Sequence, residues 1–468
     1  MLFSSAMLTP LIFSVLEDDH NVVGFLSALG ITFFSGLLMW LPVRNASHDL
    51  RIRDGFLITS LFWTVLGLFG ALPFMLTDDL DLTPLSAIFE SISGLTSSGA
   101  TVIVGLDSLP RSILIYRQLL QWLGGIGIIV VAVAVLPMLG IGGMQLYKAE
   151  TPGPSKNSKL TPRITETAKV LFAVYLTLTL ACAVTYYLLG MSAFDAIAHS
   201  FSTIALGGFS THDASIGFFE SDYILMAASF FMLVSGINFG LHYMLWHRRT
   251  FAGYVGDSET KFFLAAVGVC ISLTIAYLIW EEIHGHKDAI LHGVFQVISI
   301  ITTTGYSTEK LSMWPVVLPI MAIFFSCMGG CVGSTTGGIK AMRLMLIYKQ
   351  GIREMKQLVH PNAVIPLKVG RRRVEASIVS AVWSFFAVYT STFIILMLML
   401  MGTGLDFLTA FSAVAAALNN LGMGIAGVTG DFGSISETAK GILCFGMLLG
   451  RLEIFTLLVL FTPAFWRK

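Results

Sequence analysis

Long apolar runs alternate with short ones along the chain. The long runs are Val22–Val43, Gly55–Thr77, Ile113–Leu136, Thr167–Leu189, Tyr223–Trp246, Lys261–Trp280, Val316–Ile347, Val374–Met401 and Ala439–Thr462. Each is apolar on all sides, which predicts a buried helix, and is long enough to cross a bilayer, for which ~20 residues are needed. A first run, Leu2–Leu16, is short for a span and is expected to be tilted, clipped or partly interfacial. Four further runs, Ser86–Leu95, Phe194–Leu206, Ala289–Ile301 and Phe407–Leu418, are too brief to cross. A half-crossing segment turns back at membrane depth, where irregular backbone survives only if it is buried in protein or lines a water-filled cavity. The order long, short, long occurs four times. It predicts an all-α integral membrane fold: ten transmembrane helices with four re-entrant pore helices, in four pseudo-symmetric M1-P-M2 units around one pore. The divisions are a two-helix region (1–54), pore unit 1 (55–147), pore unit 2 (148–255), pore unit 3 with an interrupted second helix (256–360) and pore unit 4 (361–468).

Each short run ends in small polar residues and glycine: Thr96-Ser97-Ser98-Gly99, Leu206-Gly207-Gly208-Phe209, Thr302-Thr303-Thr304-Gly305-Tyr306, and Asn420-Leu421-Gly422-Met423-Gly424. Aligned on Gly99, Gly208 and Gly305, the first three agree upstream in Ile92, Phe201 and Ile298, then in Ser93, Ser202 and Ser299, an internal repeat. Glycine reaches backbone angles closed to other residues, so successive carbonyls can aim at one axis and approach an ion closely. Threonines ending in Gly-Tyr are similar to the potassium-channel filter, in which backbone oxygens replace the hydration shell. Gly207 competes with Gly208 for the key place, as Gly422 does with Gly424.

Composition and charge fit this reading. The chain is 55% hydrophobic and 12% charged, with mean hydropathy +0.80, against roughly 25% charge in a soluble domain. Of 28 Lys and Arg, 22 fall in Arg44–Arg53, Lys148–Lys169, Arg248–Lys261, Lys340–Arg373 or at the C-terminus. All lie on one side if ten spans alternate, and that side is cytoplasmic, as are both termini. The opposite side is acidic, with Asp78, Asp79, Glu90, Asp107, Asp195, Asp213 and Glu309 among its residues, a bias that concentrates cations at the mouth. The five cysteines lie in apolar runs and suit small buried hydrophobes.

The third unit's second helix is interrupted by Gly329-Gly330-Cys331-Val332-Gly333-Ser334-Thr335-Thr336-Gly337-Gly338. This is no stiff helix: a loop just inside the glycine turns would obstruct the path and move aside, and the alternative is a static kink between packed helices. The phosphate-loop pattern is rejected, since the Gly-Lys-Ser/Thr ending and a preceding strand are missing. Arg451 lies in the last span, where lipid exposure costs ~2.5–3.5 kcal/mol. It is read as a barrier to cations in the pore, with pairing to an acid as the alternative. Arg117 is assigned no role, because it can snorkel from near the outer boundary. His199, His242, His247 and His292 are read as interfacial. No acid–base pair or nucleophile constellation points to an enzyme.

The four loops, the interrupted Gly-Ser-Thr-Thr-Gly-Gly-Ile-Lys and the arginine of Gly-Arg-Leu-Glu together resemble the Trk/Ktr/HKT potassium transporter superfamily, over nearly all of Val22–Lys468. The resemblance implies potassium as the transported ion with no organic cofactor, uptake across the bacterial inner membrane, and a homodimer with one pore per subunit. It also implies a cytoplasmic nucleotide-binding (RCK, Rossmann-type) partner, the TrkA regulatory subunit, and no nucleic acid. It places the filter at Ser97–Ala100, Leu206–Phe209, Thr303–Tyr306 and Leu421–Gly424, the gating loop at Gly329–Gly338 and the constriction arginine at Arg451. The competing expectation is a proton- or sodium-coupled potassium symporter, for which a broken helix between repeats is suited.

Overall fold

The computed structural model describes residues 1–45, 52–130, 160–283, 285–309, 314–370 and 372–467. Among the described residues the regular structure is helical, apart from a short antiparallel pair in which Lys368 pairs with Arg373 and Val369 with Arg372. Among the described residues, five helices are long and apolar enough to cross a bilayer: Val22–Val43, Asp54–Leu76, Ala168–Leu188, Ser258–Trp280 and Ala376–Gly402. Two bent helix pairs raise the number to seven. Val22–Val43 buries only 22% of its apolar window in the protein, which leaves the rest to an apolar solvent such as lipid.

The four short runs are helices Pro84–Leu95, Ala193–Ala205, His286–Ile301 and Phe407–Leu418. Three start on a side-chain cap: Thr83 accepts from the Ser86 amide at 3.2 Å, Ser192 from Asp195 at 3.0 Å and Asp406 from Thr409 at 3.1 Å. Such caps contribute ~1 kcal/mol each. Their last turns are enclosed: Phe89–Leu95, Ser202–Ala205, Phe295–Ile301 and Ser412–Leu418 are buried without a break.

Packing follows a cyclic rule. Pro84–Leu95 lies against Ile52–Gly70 and Arg111–Val130, its neighbours in the chain, and against Glu437–Arg451. Ala193–Ala205 lies against Leu160–Leu188, Asp222–Ser235 and Arg111–Val130. His286–Ile301 lies against Ser258–Trp280, Val317–Ser326 and Asp222–Ser235. Phe407–Leu418 lies against Ala376–Gly402, Glu437–Arg451 and Val317–Ser326. Every short helix thus touches its own two flanking helices and the second flanking helix of the preceding repeat.

Two runs expected as single spans are broken. Tyr223–Trp246 divides into Asp222–Ser235 and Phe239–Arg248, bent by 92°. Its cause is distant in sequence: the Gly236 carbonyl accepts from the Cys331 amide at 2.9 Å, and the Phe239 amide donates to the Gly333 carbonyl at 3.1 Å. Asn238 caps the second piece through Gly240 at 2.7 Å. Ala439–Thr462 ends its first helix at Arg451 and bends by 108°, through left-handed Glu453 and Ile454 at φ 57° and 53°. Non-glycine residues are strained there, and Glu453 is held by Arg343. Part of the expected span Ile113–Leu136 and most of the basic loop Lys148–Lys169 lie outside the described residues.

Candidate functional site

All four turns after the short helices share one backbone path. Ser97, Leu206, Thr303 and Asn420 are left-handed at φ 50°, 56°, 57° and 52°, and the glycines two residues on, Gly99, Gly208, Gly305 and Gly422, at φ 82°, 77°, 82° and 71°. The common register therefore falls on Gly208 rather than Gly207, and on Gly422 rather than Gly424. This moves the fourth loop's equivalent stretch to Asn420–Met423, one residue before the expected Leu421–Gly424.

The glycines close a ring. A Cβ built on Gly99 would collide with the Gly207 carbonyl, on Gly208 with that of Thr304, on Gly305 with that of Leu421, and on Gly422 with that of Ser98. All four contacts fall well inside the 3.0 Å that real Cβ atoms keep. Each loop hence presses its bare glycine on the carbonyl just before the next loop's glycine, in the order one, two, three, four, one.

Side chains fix the turns from outside. Thr96 Oγ1 donates to Ile92 O at 2.7 Å and lies 2.8 Å from Ser98 Oγ; Thr302 repeats this with Ile298 O at 2.7 Å and Thr304 Oγ1 at 2.8 Å. Gln121 holds the second turn: its amide donates to Gly207 O at 2.6 Å, while its oxygen accepts from Ser202 Oγ at 2.7 Å and the Phe209 amide at 3.1 Å. Asn420 Nδ2 ties the fourth turn to the first through Ser98 Oγ at 2.7 Å.

The glycine-rich interruption lies against the ring. The Gly337 amide donates to Thr303 Oγ1 at 2.8 Å, Thr335 Oγ1 donates to Ile204 O at 3.1 Å, and a Cβ on Gly337 would strike the Asn419 carbonyl. Arg451 completes the contact with the first turn, donating to Thr335 O at 3.0 Å, Gly124 O at 3.0 Å and Ser97 Oγ at 3.2 Å. One buried segment and one guanidinium thereby reach the third and first turns and the residues that lead into the second and fourth. Glu453 pairs with Arg343, so the acid two residues from Arg451 does not neutralise it.

Glu259 anchors the interruption at both ends, accepting from the Val332 amide at 2.7 Å and the Met342 amide at 3.2 Å. Glu259→Leu would leave two buried amides unsatisfied, each costing ~1–3 kcal/mol. It is expected to lower the melting midpoint in detergent by several degrees, with Glu259→Gln, which still accepts, close to the parent.

Several side chains stand elsewhere than the sequence placed them. Arg117 does not snorkel: it is 1% exposed and ion-paired at 2.8 Å with Glu90, itself fully buried instead of at the acidic mouth. Lys340 and Arg343, counted with the cytoplasmic loop charges, are buried, and Lys340 Nζ donates to Thr336. His199 is fully enclosed rather than interfacial, 2.9 Å from Ser210 Oγ. The missed signals were polar residues inside apolar runs, Glu90, Arg117, Gln121 and Asn238, and one acid just ahead of a run, Glu259.

In the loop after the second turn His212 bridges Asp107 at 2.5 Å and Asp195 at 3.5 Å. Partial burial opposes its protonation, but the hydrogen bonds to Asp195 and Asp107 outweigh it and hold the imidazolium above the ordinary histidine range. The His212 hydrogen bond lowers Asp107 in turn. A raised histidine stabilises fully below its unfolded value of ~6.5 and loses that contribution as pH rises through the folded value. The Asp107 share is lost only on acidification. Solvent screening limits the effect to ~0.2–1 kcal/mol. The melting midpoint in detergent is expected to fall by about 1–2 °C from about pH 6 to pH 9, and His212→Asn should remove that part of the drop.

A helical shell enclosing one ring of four glycine turns, with a buried segment set against it, defines a membrane transport protein. The chain belongs to the TrkH family of cation transport proteins, whose model matches residues 24–468, in line with the superfamily that the motifs resemble. It is 52% identical over 468 residues to the Trk system potassium uptake protein TrkH of Halomonas elongata, covering 100% of this chain and 97% of that protein. To the protein of the same name in Escherichia coli K12 it is 49% identical over 469 residues, with the same coverage. The crystal structure of the potassium transporter TrkH from Vibrio parahaemolyticus matches with a TM-score of 0.93 at 48% identity, covering 100% of this chain and 97% of that one. The family transports cations and is not a family of enzymes.

Proposed function

We propose that the chain takes up potassium across the bacterial inner membrane through a selectivity filter made by its four glycine turns, as a channel-like translocator. Ten transmembrane helices and four re-entrant helices would form four pseudo-symmetric units around this one pore, with both termini cytoplasmic. The observation that carries the reading is the cyclic closure of Gly99, Gly208, Gly305 and Gly422 on the carbonyls of Gly207, Thr304, Leu421 and Ser98. A dehydrated monovalent cation needs several oxygens from different directions at once, and four identical turns in cyclic order supply them. Ser97–Ala100, Leu206–Phe209, Thr303–Tyr306 and Asn420–Met423 are the filter stretches. Gly329–Gly338 is the gate and Arg451 its lock. Glu259 and the helix Ala341–Val359 connect the gate to the cytoplasmic side, where a nucleotide-binding regulatory subunit of the TrkA type would act on a homodimer. The potassium uptake named for the relatives supports the choice of ion.

Flux in proteoliposomes tests the reading. Potassium is expected to move only down its own electrochemical gradient, whether or not a proton or sodium gradient is imposed. Uphill potassium movement driven by either gradient would replace the channel-like reading with coupled symport.

A further inference from the structure

The ring is fourfold in backbone but not in what joins its members. On the register of the key glycines, the position nine residues upstream reads Glu90, His199, Gln296 and Ala413, and the position two residues downstream reads Thr101, Ser210, Ser307 and Gly424. In the first repeat Glu90 accepts from Thr101 Oγ1 at 3.0 Å and from the Val102 amide at 2.9 Å. Arg117 joins that cluster to the second repeat: Nε donates to Glu90 at 2.8 Å, Nη2 to Thr101 Oγ1 at 3.0 Å and Nη1 to the Ser210 carbonyl at 3.1 Å. Its guanidinium carbon lies 4.3 Å from the ring centre of Phe209. One rigid fork therefore spans the exits of the first and second turns.

The other seams are weaker. Between the second and third turns the Tyr306 hydroxyl donates to the His199 carbonyl at 3.2 Å. Between the third and fourth, Gln296 Nε2 donates to Met423 Sδ at 3.4 Å, and a thioether is a weak acceptor. At the closing seam the Phe432 amide donates to the Thr101 carbonyl at 2.7 Å and Asn420 Nδ2 to Ser98 Oγ at 2.7 Å, both bonds between neutral groups, and Ala413 offers no polar group. Removing one member of a buried charged pair costs more than removing a neutral contact, and an ammonium cannot reproduce a planar fork that reaches three acceptors.

We propose that Arg117 and Glu90 are positioning residues for ion selection: their buried pair fixes the separation of the first and second turns, so discrimination between potassium and sodium depends unequally on the four seams. The inference rests on the filter reading above. Neither residue touches the ring carbonyls, so the effect is transmitted through Thr101, Ser210 and Phe209.

The test is the potassium-to-sodium flux ratio in proteoliposomes, with monodispersity and melting midpoint recorded for each variant. Arg117→Lys, which keeps the charge and loses the fork, is expected to lower the ratio at least fivefold. Thr101→Val, which removes only a hydroxyl, should lower it two- to threefold, and Thr101→Ser should restore the parent value. Gln296→Leu, at the weak seam, should leave it within twofold. A merely structural pair would lower yield and total flux while leaving the ratio alone. If Arg117→Lys does not fold, Thr101→Val carries the test alone. Folded Arg117→Lys or Thr101→Val proteins with the parent ratio, or a larger loss from Gln296→Leu, would overturn the inference. Gly99→Ser serves as control: a lowered ratio there beside unchanged positioning variants overturns this inference and leaves the filter standing. An unchanged ratio in Gly99→Ser overturns both.

Discussion

Arg451→Ala is expected to raise potassium flux through the resting protein by roughly ten- to hundredfold. The side chain is buried in the last span and donates to carbonyls of two different helical repeats, at Thr335 and Gly124, and to the Ser97 hydroxyl. Hydrogen bonds to a charged group contribute about 1.5–3 kcal/mol each. The bond to Thr335 is the one that ties the glycine-rich segment to the first turn. On the proposed gate, losing it alone would shift the balance of closed and open states by about one to two orders of magnitude, since each 1.4 kcal/mol is tenfold. Removing a fixed positive charge beside the path works in the same direction. Arg451→Lys should fall between alanine and the parent, because one ammonium cannot reach all three acceptors. Radiotracer uptake into proteoliposomes measures the effect, and flux equal to or below the parent in a monodisperse alanine variant would remove the lock from Arg451.

Gly208→Ala should abolish selective uptake, by about a hundredfold or more, where Gly207→Ala costs far less. An L-residue at the φ of Gly208 is disfavoured by ~1–2 kcal/mol. Its methyl group would also collide with the Thr304 carbonyl, which is backbone held inside the ring and cannot swing away. The atoms nearest a methyl on Gly207 belong to the Gln121 side chain, whose displacement would cost its hydrogen bonds to the second turn but would not push on a ring carbonyl. The two adjacent glycines are alike in sequence and unlike in structure, so growth on limiting potassium separates them. The reverse order of severity would mean that the ring register is wrong.

The order of long and short helices was legible because apolar run length separates the two, and Phe407–Leu418 matches its helix residue for residue. The glycine repeat was legible for a related reason: four turns under one geometric demand keep the one residue that tolerates it. What periodicity could not reveal were contacts that arrive from elsewhere in the chain. The break after Ser235 exists because Gly236 and Phe239 exchange hydrogen bonds with Cys331 and Gly333, about a hundred residues away in sequence; Gly236 by itself reads as a packing glycine. Glu90 near the start of a half-span is indistinguishable from a mouth carboxylate until Arg117 is seen beside it. Lys340 and Arg343 continue a basic stretch, yet a segment that folds back into the protein carries them inside. The competition between Gly422 and Gly424 needed the left-handed backbone at Gly422 and the close approach to Ser98 to resolve.

Anomalous diffraction from crystals grown with rubidium or thallium in place of potassium puts the ring itself to the test. Rubidium or thallium density is expected inside the closed circle of Ser98, Gly207, Thr304 and Leu421 carbonyls, and should disappear in Gly99→Ser crystals. Anomalous peaks confined to the acidic outer loops, with none inside that circle, would contradict the assignment of the four turns as the ion's path.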